Sequence, residues 1–220
     1  MICSFRNKFF GHLKTVYTHR KWVRRYCFYA KMYWQGLTHD LSKYNPVEFF
    51  ESVKYYQGTR SPIDAAKESK GCSDAWLHHK THNKHHREYW TDNYDSGTAS
   101  ICMPSKYAKE MLCDFLGAGR AYMGKDFTYQ KEWDWWNNKL KEGIAIHPET
   151  AYFITAALYD LKETEDFVVL NNLSAYTSLA TRWFVRTKCN TDVVHSNLYY
   201  YGSSKNFYED IIMDGGFYDD

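Results

Sequence analysis

Apolar positions over residues 5–34 recur at helical spacing without a proline. At about 100° per residue, Phe5, Phe9, Val16, Val23, Tyr26, Ala30 and Tyr33 share one face, and His12 and His19 fall in the same stripe. Arg6, Lys14, Arg20, Arg24, Arg25 and Lys31 take the other faces. The pattern predicts one long helix ended by Gly36, followed by the short connection THDLSKYNP. Pro46, with Asn45 as a cap, opens a second helix to about Tyr56. The polar stretch 57–72 reads as loop, Ser73 to Trp90 as a third helix, and 91–103 as another loop. Helices from Pro104 to Met123, from Thr128 to Glu142 and from Pro148 to about residue 163 follow. Beyond 166 the periodicity fades. The prediction is an all-α helical bundle that binds metal over 1–165, with a C-terminal extension or lid over 166–220.

Composition narrows the class. Hydrophobic residues make up 44% and aromatics 19% of 220 residues, which excludes a disordered chain. The 28 Lys+Arg against 26 Asp+Glu leave +2, too little for a strongly basic nucleic-acid coat. Nucleic acid is therefore not a favoured partner, and a homo-oligomer remains compatible with the sequence. The apolar residues of MICSFRNKFFGHLK are interrupted by charge, so no signal-peptide core is expected. No run of about 18 apolar residues exists to span a membrane. Six scattered cysteines without a C-x-x-C pair read as reduced thiols in a cytoplasmic protein.

The ten histidines carry the candidate chemistry, because five of them lie between His78 and His86. Drawn as one helix, His78, His79, His82, His85 and His86 fill an arc of about 120°, with Lys80, Lys84 and Arg87 opposite. A helix buries its least charged face, and buried imidazoles need partners. A metal ion satisfies several at once, and neutral imidazole suits Zn, Fe, Mn and Ni. Elsewhere His19 sits mid-stripe on the first helix, His39-Asp40 forms an adjacent pair, and Asp114 lies among Met111, Phe115, Gly117 and Ala118. A carboxylate on such a face is either paired or coordinating.

In this order, an early helical His, an HD doublet with a lysine (HDLSK), a His-rich segment (HNKHHRE) and a late helical Asp, the sequence resembles the HD-domain superfamily of metal-dependent phosphohydrolases. The resemblance covers roughly residues 12–123. No Gly-Tyr-Pro follows HHRE, unlike the cyclic-di-GMP branch of that superfamily. The chain also looks like a group of small proteins from Gram-positive bacteria and their phages.

The resemblance implies an HD-like bundle holding one or two divalent ions (Mn, Fe, Zn, Co or Ni). His19, His39, Asp40 and Asp114 would ligate one, and His82 with His85 or His86 would help hold a second. Asp40 and Lys43 would be catalytic, with Lys43 and, more weakly, Arg20 and Lys21 contacting a small anionic substrate such as a nucleotide. The implied reaction is hydrolysis of a phosphomonoester or phosphodiester by a metal-activated water. Two other readings fit the same residues: an HD-fold di-iron oxygenase, and a non-catalytic nucleotide-binding protein, for instance a phage counter-defence factor.

Overall fold

The computed structural model describes residues 5–95, 97–188 and 198–200. The helices are α1 (Phe5–Tyr29), α2 (Tyr33–Thr38), α3 (Pro46–Tyr55), α4 (Pro62–Lys70), α5 (Asp74–His82), α6 (Ser105–Met123), α7 (Tyr129–Lys141), α8 (Pro148–Thr164) and α9 (Leu173–Lys188). Three short strands, β1 (Thr91–Tyr94), β2 (Gly97–Ile101) and β3 (Leu198–Tyr200), form one antiparallel sheet in the order β1-β2-β3. Among the described residues the fold is all-α apart from this sheet. Among the described residues no helix is long and apolar enough to cross a membrane.

The first helix is shorter than its apolar pattern predicts. Lys31 adopts φ 58°, and the Met32 N–H donates to Cys27 O at 2.8 Å, so the chain turns after Tyr29 and restarts as α2. Gly36 does not stop a helix. It lies buried inside α2, where a Cβ would meet Cys27 Cβ at 2.9 Å, and its missing side chain lets α2 fold back onto α1. The expected Pro46 start holds: Asn45 accepts from Val47 N–H at 3.0 Å, with proline in the first turn.

Three other expectations are corrected. The loop read at 57–72 contains α4, which Pro62 opens and Gly71 (φ 80°) closes. The third helix does not run to Trp90: it ends at His82, where Asn83 Nδ2 donates to His79 O at 2.8 Å, and a 3-10 turn follows at Arg87–Trp90. The loop read at 91–103 contains the β1–β2 hairpin.

The core is built where α1, α6, α7, α8 and α9 meet, around Trp136, Phe153, Leu112, Leu116 and Leu158. Trp136 donates its indole N–H to Thr155 Oγ1 at 2.8 Å, which satisfies the one polar atom of a fully buried ring. Glu165 (φ 52°) turns the chain after α8, but packing does not stop there. Leu170, Leu173, Ala180 and Trp183 pack into the same core, so the chain beyond 165 contributes to it. Residues 189–197 and 201–220, most of the expected lid, lie outside the described residues.

α1 and α6 pack most closely at Gly117. A Cβ there would lie 2.3 Å from Val23 Cγ2 and 3.0 Å from the Val23 backbone nitrogen. Only glycine lets these backbones approach so far. His19 lies one turn before Val23 on α1, and Asp114 lies one turn before Gly117 on α6. The crossing therefore sets the spacing of these two side chains, while α3, α4 and α5 pack together on the other side of the site.

Candidate metal centre

Asp40 sits at the middle of the site. It follows α2 in a left-handed conformation (φ 53°, ψ 30°) and caps the 3-10 turn Leu41–Tyr44. Asp tolerates this region better than most residues, and strained backbone of this kind is concentrated at functional positions. Arg20 holds the turn in place, donating from Nε to His39 O at 2.8 Å and from Nη2 to Leu37 O at 3.1 Å.

Four donor atoms converge on one side of Asp40. His19 Nε2 lies 3.1 Å from Asp40 Oδ2 and 3.1 Å from Asp114 Oδ1. His39 Nε2 lies 3.3 Å from Asp40 Oδ2, 3.4 Å from Asp114 Oδ1 and 3.3 Å from His19 Nε2. An ion about 2.0–2.1 Å from each of several donors spaces them about 3.0 Å apart in octahedral cis pairs and about 3.4 Å in a tetrahedron. The observed separations fall in that interval.

On the other side of Asp40, Oδ1 faces His79 Nε2 at 3.4 Å and His85 Nε2 at 3.4 Å. His86 completes a second group of Asp40, His79, His85 and His86, whose donor atoms lie within 4.8 Å of one another. Asp40 Oδ1, His85 Nε2 and His86 Nε2 are buried without a hydrogen-bond partner. Leaving three such atoms unsatisfied is costly in a dry interior, and a cation accepts all three at once. The residues present therefore fit a metal in both groups, and Asp40 offers one oxygen to each.

Carboxylates behind the histidines fix their tautomers. Glu110 Oε1 accepts from His39 Nδ1 at 3.0 Å and lies 3.3 Å from His85 Nδ1. Glu48 accepts from His79 Nδ1 at 2.7 Å through Oε2 and from His78 Nδ1 at 2.6 Å through Oε1. With Nδ1 so engaged, Nε2 of His39, His79 and His85 points to the centre, the arrangement that orients imidazole ligands.

Charge follows from this packing. Burial opposes ionisation of Asp40 and Asp114, yet His39, Lys43 and His79 hold the first carboxyl well below its usual range, and His19 and His39 the second. Burial also works against charge on His39, but Asp40 and bonds from Asp114 and Glu110 raise it well above its usual value. His85 is disfavoured by burial and by His39 but lifted by Asp40 and Glu110, to about 9. His86 is held well below the usual range by burial and then by its neighbours His85 and His79. Lys43, with Nζ 2.8 Å from Asp40 Oδ2, stays charged.

The structure thus brings together His19, His39, Asp40, Lys43, His85, His86 and Asp114. It does not bring in His82, which is exposed, bonds through Nδ1 to His78 O at 2.7 Å and stacks on the His78 ring at 4.0 Å. His79 stands in the place expected for it. The wheel misassigned the pair because the helix ends at His82, and His85 and His86 enter from the following turn. Arg20 is committed to carbonyl oxygens and a cation–π contact with Tyr44, and exposed Lys21 does not line the cavity beside the cluster.

Glu48 and Glu110 were not singled out from the sequence. Glu110 lies four residues before Asp114, on the same face of α6, and that spacing is the signal that would have found it. Glu48, in the first turn after Pro46, carries no signal beyond an ordinary helix start. Cys102, His147 and Glu149 form another group able to hold an ion, which shares no residue with the first two. Among the described residues, Cys27, Cys72, Cys102 and Cys113 are free thiols.

Neither the curated proteins nor the solved structures give a match. A family of unknown function, DUF5662, matches residues 8–160, a span that contains every donor of the two groups around Asp40. The chain belongs to that family, DUF5662.

Proposed function

We propose that the chain is a metal-dependent phosphohydrolase acting on a phosphate ester, with a two-ion centre built around Asp40. The observation that carries this reading is the division of the Asp40 carboxylate between two donor groups, one oxygen to each, with buried donor atoms left unsatisfied on the second. Divalent cations in such a centre supply Lewis acidity and an acidified water at neutral pH. The donors are imidazole and carboxylate without a thiolate, which suits Mn, Fe, Zn, Co or Ni.

The chain's own residues do the rest. Lys43 places a fixed positive charge at the cluster edge, 2.8 Å from Asp40, where a phosphoryl oxygen would be drawn in. Glu48 and Glu110 hold His79, His39 and His85 in one tautomer. The cluster opens on a cavity of about 240 Å³ that His19, Lys43 and Asp114 help to line, so a substrate would reach it from that side.

The first test is the metal content of protein purified without added metal or chelator, followed by a panel of phosphate esters on the loaded protein. About two equivalents of metal are expected. Asp40→Asn keeps the left-handed backbone, and it should lower hydrolysis by at least about a hundredfold in protein shown by far-ultraviolet circular dichroism to be folded at the assay temperature. Loss of the buried charge beside Lys43 also lowers the thermal midpoint. Hydrolysis unchanged by that substitution would overturn the assignment. Iron in the purified protein together with O₂ uptake would favour the oxygenase reading. Tight nucleotide retention without turnover would favour a binding protein.

A further inference from the structure

The cavity beside the cluster contains one group that the proposed chemistry does not use. His12, on α1 two turns before His19, is only 6% exposed, packs against Phe49 and Tyr56 at centroid distances of 5.2 and 6.0 Å, and lines the cavity. Its Nδ1 is buried without a hydrogen-bond partner. Burial and then the charge of Lys43 lower its pKa to about 4, so the ring is neutral. A neutral imidazole offers one donor and one acceptor but no charge with which to balance an anion, so it suits an uncharged hydroxyl.

The rest of the lining agrees with this. Val16, Pro62 and Ile63 give an apolar wall, and Ser52 and Ser61 add hydroxyls. Lys43 is the single Lys or Arg among the described residues that line the cavity. A second phosphate would therefore face no free cation. The volume of about 240 Å³ lies below the roughly 300–1,000 Å³ of pockets that hold drug-sized ligands.

We infer that the substrate is a phosphomonoester of a small, uncharged, hydroxyl-bearing body about the size of one sugar, with its phosphate at Lys43 and a hydroxyl hydrogen-bonded to His12. The inference rests on the hydrolase reading and narrows it: polyphosphates and dinucleotides are excluded by charge and by size.

The test compares ribose 5-phosphate, ribose 1,5-bisphosphate, phenyl phosphate and a dinucleotide on the metal-loaded full-length protein. Wild type should prefer ribose 5-phosphate over the bisphosphate and the dinucleotide by at least about tenfold in kcat/KM. His12→Leu should raise KM for ribose 5-phosphate roughly five- to tenfold, as one hydrogen bond allows, with kcat and the KM for phenyl phosphate nearly unchanged. His12→Gln, which keeps a donor and an acceptor, should recover most of the loss. Calorimetric titration with a non-hydrolysable phosphonate isostere of ribose 5-phosphate should show the same dependence on residue 12. Equal efficiency for the bisphosphate, or a KM indifferent to His12, overturns the inference and leaves the hydrolase standing. Failure to turn over any ester or to bind the phosphonate removes both.

Discussion

Asp40, Asp114 and Glu110 favour the protonated form of His39, and Asp40 and Glu110 that of His85, whereas metal requires both rings neutral. The raised value of His85, about 9, has a definite sign. Its stabilising contribution to the metal-free protein is fully present below the ordinary histidine value of about 6.5 and is lost as pH rises through about 9. Asp40 and Asp114 remain ionised throughout, because their carboxyls are held well below the usual range. Metal uptake between those limits therefore expels one to two protons. Apparent affinity should rise about ten- to a hundredfold per pH unit from pH 6.5 to 8.5, measured by competition against a chelator of known affinity at each pH. Glu110→Gln removes the carboxylate that faces both Nδ1 atoms, so it should flatten that slope and weaken binding by about ten- to a hundredfold. A slope of zero in the wild type would mean that these histidines are not the groups metal displaces protons from.

The spacing between elements matters as much as the donors they carry. The Gly117 contact is against backbone atoms of Val23 as well as a methyl group, so an added Cβ cannot be absorbed by one side chain swinging away. Gly117→Ala should keep the helical far-ultraviolet spectrum, lower the thermal midpoint by the effect of about 1–3 kcal/mol of overpacking, and weaken metal binding by drawing His19 from Asp114. An alanine variant with unchanged metal affinity would show that the crossing does not set this distance. The same element scale explains what could be read in advance. The stripe of α1, the Pro46 and Pro148 helix starts and the inward Asp114 were legible because each rests on local chemistry. The end of α5 was not: HNKHH contains neither glycine nor proline, and Asn83 ends the helix through its side-chain bond to His79 O. The hairpin was hidden because its strands are short and polar, so no apolar alternation marks them. α4 had its signals in Ser61-Pro62 and Gly71, outweighed by polar composition.

At the scale of the molecule, the site is assembled from α1, the α2–α3 connection, α5 with its following turn, and α6, so its donors run from His19 to Asp114 in the sequence. No short segment could hold the ion alone, and loss of the bundle is loss of the site. The last described strand has a different consequence. β3 pairs along β2, with Ala99 opposite Tyr200 and Ile101 opposite Leu198. Ending the chain at residue 188 would replace the three-residue edge of β3 by the five-residue edge of β2, a longer row of unpaired amides and carbonyls on which another copy can add itself as a strand. A truncated protein of residues 1–188 should therefore grow in mass with concentration in light scattering, where the full chain keeps a constant mass. An unchanged mass would mean that the hairpin tolerates an open edge. The contribution of the chain's far end, on this view, is colloidal: it keeps a small sticky sheet from recruiting its neighbours.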